Sequence, residues 1–319
     1  MSQPSTTANR DHGGGLDAAV AQYGGEKSAW IDLSTGINPV PYPLPDLAPD
    51  IWTSLPDADA NARLHSAARA AWGVPGDADI LAAPGASALI ARLPGLAARG
   101  AVHIPGPTYN EHAAAFASQG WDVHADPPEA ISARVIVHPN NPTGRWYTET
   151  DLDAPLTVID ESFADVAPDR SLVRHAGRSG TLVLKSFGKF WGLAGLRLGF
   201  AIGPVDMIAR LRERLGPWPV SGPALRIGAT ALADEEWARN TRVRLNEDAA
   251  RLDALMHQRG ASCIGGTSLF RLYEVTDAAD WQSRLALQHI WSRVFPYSRS
   301  WLRLGLPASH NWTRLEEAI

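Results

Sequence analysis

Residues 185–200 read KSFGKFWGLAGLRLGF. They place Ser186 three residues before Lys189 and Arg197 eight residues after it. A lysine amine acts as a covalent catalyst only when it is deprotonated part of the time, and arginine suits a phosphate because its planar guanidinium donates several hydrogen bonds and stays charged. The spacing therefore predicts a covalently reactive Lys189 beside a phosphate site made by Ser186 and Arg197. The simpler alternative is a surface lysine next to a glycine-rich loop.

Two upstream segments end apolar strands with polar side chains. Residues 135–144 read VIVHPNNPTG, and residues 156–163 read LTVIDESF. Open α/β sheets bind ligands in the loops that follow strand ends. Taken alone, an aspartate such as Asp160 is more often a helix cap than a catalyst. The order Asn141, Asp160, Lys189 instead predicts a site for pyridoxal 5'-phosphate (PLP), in which Asp160 keeps the pyridine nitrogen protonated so that the ring accepts electrons.

The order and spacing of these segments resemble the fold-type I PLP-dependent enzymes, the aspartate aminotransferase superfamily, over nearly the whole chain. The resemblance implies an α/β fold, with a large domain built on a mostly parallel, seven-stranded type of sheet and a smaller α+β domain. It implies that Lys189 binds the cofactor covalently and that Asp160 pairs with the pyridine nitrogen. The other implied cofactor contacts are Asn141 at the 3'-oxygen, Ser186, Arg197 and the loop Gly85, Ala86, Ser87 at the phosphate, Tyr109 on the ring and His112 behind Asp160.

Two positions depart from the pattern of that superfamily. The tyrosine that often follows the DE segment is Phe163 here, so the hydroxyl that would bond the cofactor oxygen is absent. The tyrosine that many relatives carry before a Pro-Asp pair, and that reaches the phosphate in the partner subunit, is Leu55 here. The resemblance still implies a homodimer, without that cross-subunit contact.

Within the superfamily, four segments resemble the threonine-phosphate decarboxylases of cobalamin biosynthesis. These segments are residues 11–14 (DHGG), 32–39 (DLSTGINP), 56–59 (PDAD) and 189–191 (KFW). The resemblance implies decarboxylation of L-threonine O-3-phosphate to aminopropanol phosphate. Two alternatives stay open, which are a histidinol-phosphate or other class I/II aminotransferase and a PLP-binding protein without turnover.

Three residues are candidates for binding an anionic substrate. Residues 301–307 read WLRLGLP, which places Arg303 in an otherwise apolar strand, where an arginine needs an anion. The resemblance implies that Arg303 binds the substrate carboxylate and that Arg293 binds a second anionic group, with His12 as a further donor to the substrate phosphate. For Arg293 the alternative is a surface arginine whose head lies in water.

Composition and charge argue against several classes of protein. The chain has 319 residues, of which 45% are hydrophobic and 20% charged, with a net charge of -5, which speaks against a nucleic-acid partner. The single cysteine, Cys263, excludes an internal disulfide and fits a reducing compartment. No apolar run approaches the length of a membrane span, and the first residues lack the apolar core of a signal peptide. We therefore expect a cytoplasmic protein with no membrane partner and no metal site.

The alternation of apolar strands with helices argues for a mostly parallel sheet. Helices are predicted over residues 62–72, 89–98 and 110–119, and a long helix over 224–256 that breaks once. Three parts are predicted, namely an N-terminal arm over residues 1–40 that packs on the small domain, a large PLP-binding domain over 41–222 and a small domain over 223–319. Strands are predicted to end near Ala83, Ile104, Val137, Ile159, Leu184 and Ile202. Trp191, two residues after the reactive lysine, is predicted to form a wall of the pocket.

Overall fold

A computed structural model describes residues 12–319 of the chain. The first eleven residues of the predicted N-terminal arm, including Asp11 of the DHGG segment, lie outside the described residues. The thirteen described strands are β1 Ile31–Asp32, β2 Ala78–Ala83, β3 Ala101–His103, β4 Asp122–His124, β5 Ala133–Val137, β6 Leu156–Asp160, β7 Thr181–Ser186, β8 Gly199–Pro204, β9 Ser262–Thr267, β10 Phe270–Glu274, β11 Ile290–Trp291, β12 Arg293–Phe295 and β13 Ser298–Gly305. The ten described α-helices are α1 Leu16–Tyr23, α2 Asp50–Thr53, α3 Ala58–Trp72, α4 Ala86–Ile90, α5 Asn110–Ser118, α6 Val205–Leu215, α7 Gly222–Leu232, α8 Glu235–Gln258, α9 Ala278–Leu287 and α10 Trp312–Ala318.

Seven strands form the central sheet, in the order β2-β8-β7-β6-β5-β3-β4. The strand β8 runs antiparallel to both of its neighbours, whereas the other pairs are parallel. Strands β5, β6 and β7 read ARVIV, LTVID and TLVLKS, and nearly all of their side chains are buried. Continuous β-branched and aliphatic runs are typical of parallel strands that helices cover on both faces. The predicted mostly parallel α/β sheet is therefore confirmed.

A second, antiparallel sheet lies in the C-terminal part of the chain, in the order β12-β13-β10-β9. The segment that precedes β2 contacts this C-terminal part, because β1 pairs in parallel with β11. Two further backbone hydrogen bonds extend this contact, from the Leu33 amide to the Trp291 carbonyl and from the Gly305 amide to the Leu33 carbonyl. The limits proposed for the three parts stay a prediction.

Some predicted elements differ from the observed ones. The helix predicted over residues 89–98 is wrong, because α4 ends at Ile90 and a short 3-10 helix follows over Leu93–Leu96. Pro94 and Gly95 explain the break, since proline removes a backbone donor and glycine disfavours a helix interior. The long C-terminal helix does break once, into α7 and α8, and Asp234 caps the second of these by accepting from the Trp237 amide. None of the helices within residues 12–319 is both long enough and apolar enough to cross a membrane.

Candidate active site

The main candidate site is a pocket at the carboxyl ends of the parallel strands β5, β6 and β7. The space between its lining atoms, including the open mouth, is about 660 Å³. Loops that follow parallel strands meet at one edge of the sheet, and this explains why residues far apart in sequence converge here. Eight of the predicted cofactor-binding residues line it: Ala86, Ser87, Tyr109, Asn141, Asp160, Ser186, Lys189 and Arg197.

Lys189 presents to this pocket an amine that is easily deprotonated. Burial lowers the pKa of the amine from 10.5 to about 8, and the charges of Arg303, Arg197 and Arg293 act in the same direction. The opposing charge of Asp160 does not outweigh them. A sizeable share of the amine is therefore neutral near neutral pH and able to act as a nucleophile or a base.

Asp160 ends β6 as a buried, ionised carboxylate. Its Oδ2 lies 2.7 Å from Nε2 of the fully buried His112, and its Oδ1 accepts from the amide and the hydroxyl of Ser162, at 3.0 and 2.5 Å. Burial alone would raise the pKa of Asp160, but the hydrogen bond and charge of His112 and the two bonds from Ser162 lower it below its ordinary value. The carboxylate is thus fixed in place as an anion, as a partner for a cationic ring nitrogen must be.

The outer end of the pocket carries the predicted phosphate contacts. Arg197 has a left-handed backbone conformation, with φ of 53°, and its guanidinium approaches Gly85 so closely that a Cβ there would lie 2.5 Å from Nη2. Gly85 itself has φ of 82°, a conformation that glycine adopts without strain. Ser87 and Arg197 are both exposed in the single chain. The helix α4 that follows has only five residues, so its dipole is short. At this end of the pocket an anion would be bound by local amide groups and by Arg197.

A second cavity adjoins the first and is lined by Tyr109, Asn141 and Arg293. Arg303 reaches the wall between the two cavities, because its Nη1 donates to Oδ1 of Asn141. Arg293 and Arg303 stand opposite each other on the paired strands β12 and β13. The structure therefore brings both predicted substrate arginines to the same side of the site. Arg303 is only 3% exposed, and its guanidinium also lies over the Phe270 ring.

His12 lies beside Tyr109, which lines both cavities. The two ring centres are 6.1 Å apart, and Nε2 of His12 is 2.9 Å from Oε1 of Glu111 at the start of α5. Burial raises the pKa of the Tyr109 hydroxyl, the charges of Asp160 and Glu111 add to this, and a hydrogen bond with Ser87 opposes it. The structure thus brings His12 to the site, while its role as a phosphate donor stays a prediction.

Lys185, the other lysine of the motif, lies in a separate buried network. Its Nζ is 2.7 Å from Oε2 of Glu161 and 3.2 Å from Oδ1 of Asp165. Burial alone would lower the pKa of Lys185, but these two carboxylates raise it above its ordinary value. Lys185 therefore stays protonated, and of the two lysines only Lys189 lines the pocket.

Two functional neighbours escaped the sequence analysis. Ser162, which fixes Asp160, could have been found from the Asp-x-Ser pattern that follows a strand, since such a serine often closes a local turn. The network around Lys185 had no local signal, because Asp165 lies 20 residues away along the chain.

The predicted role of Trp191 as a wall of the pocket is wrong. Its ring stacks on the rings of Phe187 and Trp237, and its indole N–H donates to Asp165. Trp191 therefore belongs to the core beneath the site, because its flat apolar faces are covered by two other rings and its one donor is satisfied there.

Within residues 12–319, no group of three or more histidine, cysteine, aspartate or glutamate side chains is arranged to hold a metal.

Comparisons with known proteins agree with this geometry. The family model described as aminotransferase class I and II matches residues 44–319. A threonine-phosphate decarboxylase from Sinorhizobium sp is 41% identical over 97% of this chain and 97% of its own length, and one from Pseudomonas aeruginosa is 36% identical with the same coverage. Among solved structures, histidinol-phosphate aminotransferase from Sinorhizobium meliloti in complex with pyridoxal-5'-phosphate superimposes with a TM-score of 0.81 at 16% identity, covering 100% of this chain and 97% of that one.

Proposed function

This chain belongs to the aminotransferase class I and II family, and from that premise we propose that it is a PLP-dependent lyase that decarboxylates L-threonine O-3-phosphate to aminopropanol phosphate. Two relatives that match over nearly their full length, at 41% and 36% identity, carry the name of that enzyme. The histidinol-phosphate aminotransferase relatives fit less well, since one from Mesorhizobium japonicum is 29% identical over 88% of this chain. The reaction would serve cobalamin biosynthesis.

The side chains of the pocket fit PLP. The amine of Lys189, with its lowered pKa, suits an aldehyde, and the ionised Asp160 suits a pyridine nitrogen. Arg197 with Ser87 suits a phosphate, and the aromatic ring of Tyr109 suits a flat heterocycle. When bound, PLP would supply a protonated ring that accepts the electron pair of the α-carbon bond that breaks.

The protein selects the α-carbon bond that breaks by binding the carboxylate and the phosphate of the substrate. Arg303 is proposed to bind the carboxylate and Arg293, with His12, the phosphate. If these residues orient the carboxylate for cleavage, carbon dioxide would be lost, whereas orienting the α-hydrogen for removal would begin transamination. The amine of Lys189, which lines the pocket, would return a proton to the α-carbon after carbon dioxide has left.

The observation that supports a doubly anionic substrate is the concentration of positive charge at the site. Arg303 and Arg293, which are not among the proposed cofactor contacts, both lower the pKa of Lys189, although the chain as a whole carries a net charge of -5. Local cations in a pocket attract and orient anionic ligands irrespective of the overall charge. A substrate with both a carboxylate and a phosphate fits arginines on the two adjacent strands β12 and β13.

The test is product analysis with the PLP-loaded protein. We expect L-threonine O-3-phosphate to release carbon dioxide and aminopropanol phosphate in equal amounts, without a keto-acid acceptor. If histidinol phosphate with 2-oxoglutarate is turned over and threonine phosphate is not, the chain is an aminotransferase and the proposal fails.

We also propose a twofold homodimer, the commonest symmetry of soluble oligomers. Ser87 and Arg197 are exposed in the single chain, so a second copy would cover the phosphate end of the pocket. Trp52 and Leu55, each 67% exposed, are apolar surface available for a contact between subunits. Light scattering at micromolar concentration should give twice the chain mass, and a fully active monomer would contradict the proposal.

A further inference from the structure

We propose that residues 12–14 form a strap that positions Arg303, and that Ser34 is the joint between them. This inference rests on the proposed function, because it assigns a residue that places the carboxylate-binding arginine. Ser34 is 1% exposed and touches both the strap and Arg303. It is a positioning residue, since it acts on the substrate through Arg303.

The joint begins with a local turn. The Ser34 amide and hydroxyl donate to Oδ1 of Asp32, at 2.9 and 2.5 Å. This closed Asp-x-Ser turn fixes the Ser34 backbone, and hydrogen bonds of this kind to an ionised group are the stronger ones. A turn of the same kind holds Asp160 in the pocket, where the Ser162 amide and hydroxyl are the donors.

The strap lies directly on Ser34. The Gly14 amide donates to the Ser34 hydroxyl oxygen at 2.7 Å. A Cβ at Gly13 would overlap the Ser34 carbonyl oxygen, so only glycine lets the strap approach this closely. The same carbonyl oxygen accepts a hydrogen bond from Nη2 of Arg303 at 2.5 Å. The strap and the arginine therefore meet on a single residue.

The strap also reaches the other side of the site. His12, at its end, is 2.9 Å from Glu111 on α5, the helix that carries His112. The strap therefore runs from Ser34, which holds Arg303 of the antiparallel sheet, to the helix behind Asp160. Arg303 also donates to Asn141, so its guanidinium is held by this side chain and by the Ser34 carbonyl together. A shift of the Ser34 carbonyl would therefore move the guanidinium and change where it meets a carboxylate.

The first test compares Gly13→Ala with Gly15→Ala. Gly15 is a matched control, since a Cβ there meets nothing within 4 Å and its φ is -76°. Gly13→Ala should raise the KM for L-threonine O-3-phosphate roughly tenfold, the scale of one lost hydrogen bond to a charged group. The inhibition constant of aminopropanol phosphate, which has no carboxylate and reports on the phosphate contacts of His12 and Arg293, should rise by less than the KM does. If the two variants behave alike, or if Gly13→Ala weakens substrate and product equally, the proposal is overturned.

The second test needs no turnover, so its outcome is separate from that of the proposed function. Arg303→Lys keeps the charge but loses the planar fork of donors. Hydrogen–deuterium exchange of peptides containing residues 12–15 and 32–36 should then become faster than in wild type, while Arg293→Lys should leave both unchanged. Unchanged exchange in Arg303→Lys would show that Arg303 does not hold the strap, whatever reaction the enzyme catalyses.

Discussion

Attachment of the cofactor to Lys189 should depend on pH with a midpoint near 8. Burial, and then the charges of Arg303 and Arg197, lower the pKa of this amine from 10.5 to about 8. At pH 7, an amine with a pKa of about 8 is neutral in about one molecule in eleven, against about one in 3000 at the ordinary value. Because only the neutral amine attacks an aldehyde, the surroundings of Lys189 should accelerate attachment by about 300-fold at pH 7.

The assay mixes cofactor-free protein with PLP over a range of pH and follows the visible absorbance of the lysine-bound cofactor. Borohydride trapping and peptide mass analysis then identify the modified residue. We expect the rate to rise about tenfold per pH unit below the pKa and to level off above it. Lys189→Ala should give no trapped adduct, and the peptide position of the ion-paired Lys185 should stay unmodified.

A rate that keeps rising up to pH 10 would refute this reasoning, because it would show an amine with an ordinary pKa. Arg303→Met supplies a further check, since it removes one of the cations that lower the pKa, and the plateau should move to higher pH. Arg299→Met is the control, because the side chain of Arg299 is 95% exposed and water screens its charge.

Four other substitutions or conditions test the buried charges. Asp160→Asn should lower kcat/KM by about 10²–10³-fold in steady-state assays, the range for losing one preorganised electrostatic partner. Arg303→Ala should lower transition-state binding by about 3–5 kcal/mol, calculated from kcat/KM. Lys185→Met should lower the free energy of unfolding in urea by about 3–5 kcal/mol, because it leaves two buried carboxylates without their cation. Burial lowers the pKa of His138 from 6.5, so as the pH drops below 6.5 this side chain takes up a proton in the unfolded chain before it does so in the folded one. The free energy of unfolding should therefore fall as the pH drops below 6.5. A free energy of unfolding that does not change with pH in this range would contradict the prediction.

The strands and the order of the cofactor-binding residues could be predicted because their signals are local. Each of Asn141, Asp160 and Ser186 follows or ends an apolar run, and the carboxyl ends of neighbouring parallel strands necessarily lie side by side. The identity of the reactive lysine also followed from spacing, and the pocket contains Lys189 rather than Lys185. The roles of these residues stay predictions until they are tested.

The contacts that could not be predicted join residues far apart in sequence. Arg303 meets the carbonyl of Ser34 across 269 residues, and nothing near either residue indicates the other. The contact of Gly13 with the same carbonyl could not be predicted either, because a glycine in a polar segment indicates only a flexible turn. Pro94 and Gly95 are visible in the sequence, and both disfavour the helix predicted over residues 89–98.

The buried ion pairs around Lys185 also fix how two strands align. Asp160, the last residue of β6, stands opposite Leu184 in the pairing with β7. Glu161 follows directly after β6, with its amide donating to the Leu184 carbonyl, and Lys185 follows Leu184 in β7. A slip of one residue would turn every side chain of β7 to the other face. Lys185 would then enter the pocket, and Ser186 would take its place among the buried carboxylates. The network thus stabilises the observed register of β6 and β7. In that register the lysine in the pocket is Lys189, whose amine is easily deprotonated, and not Lys185.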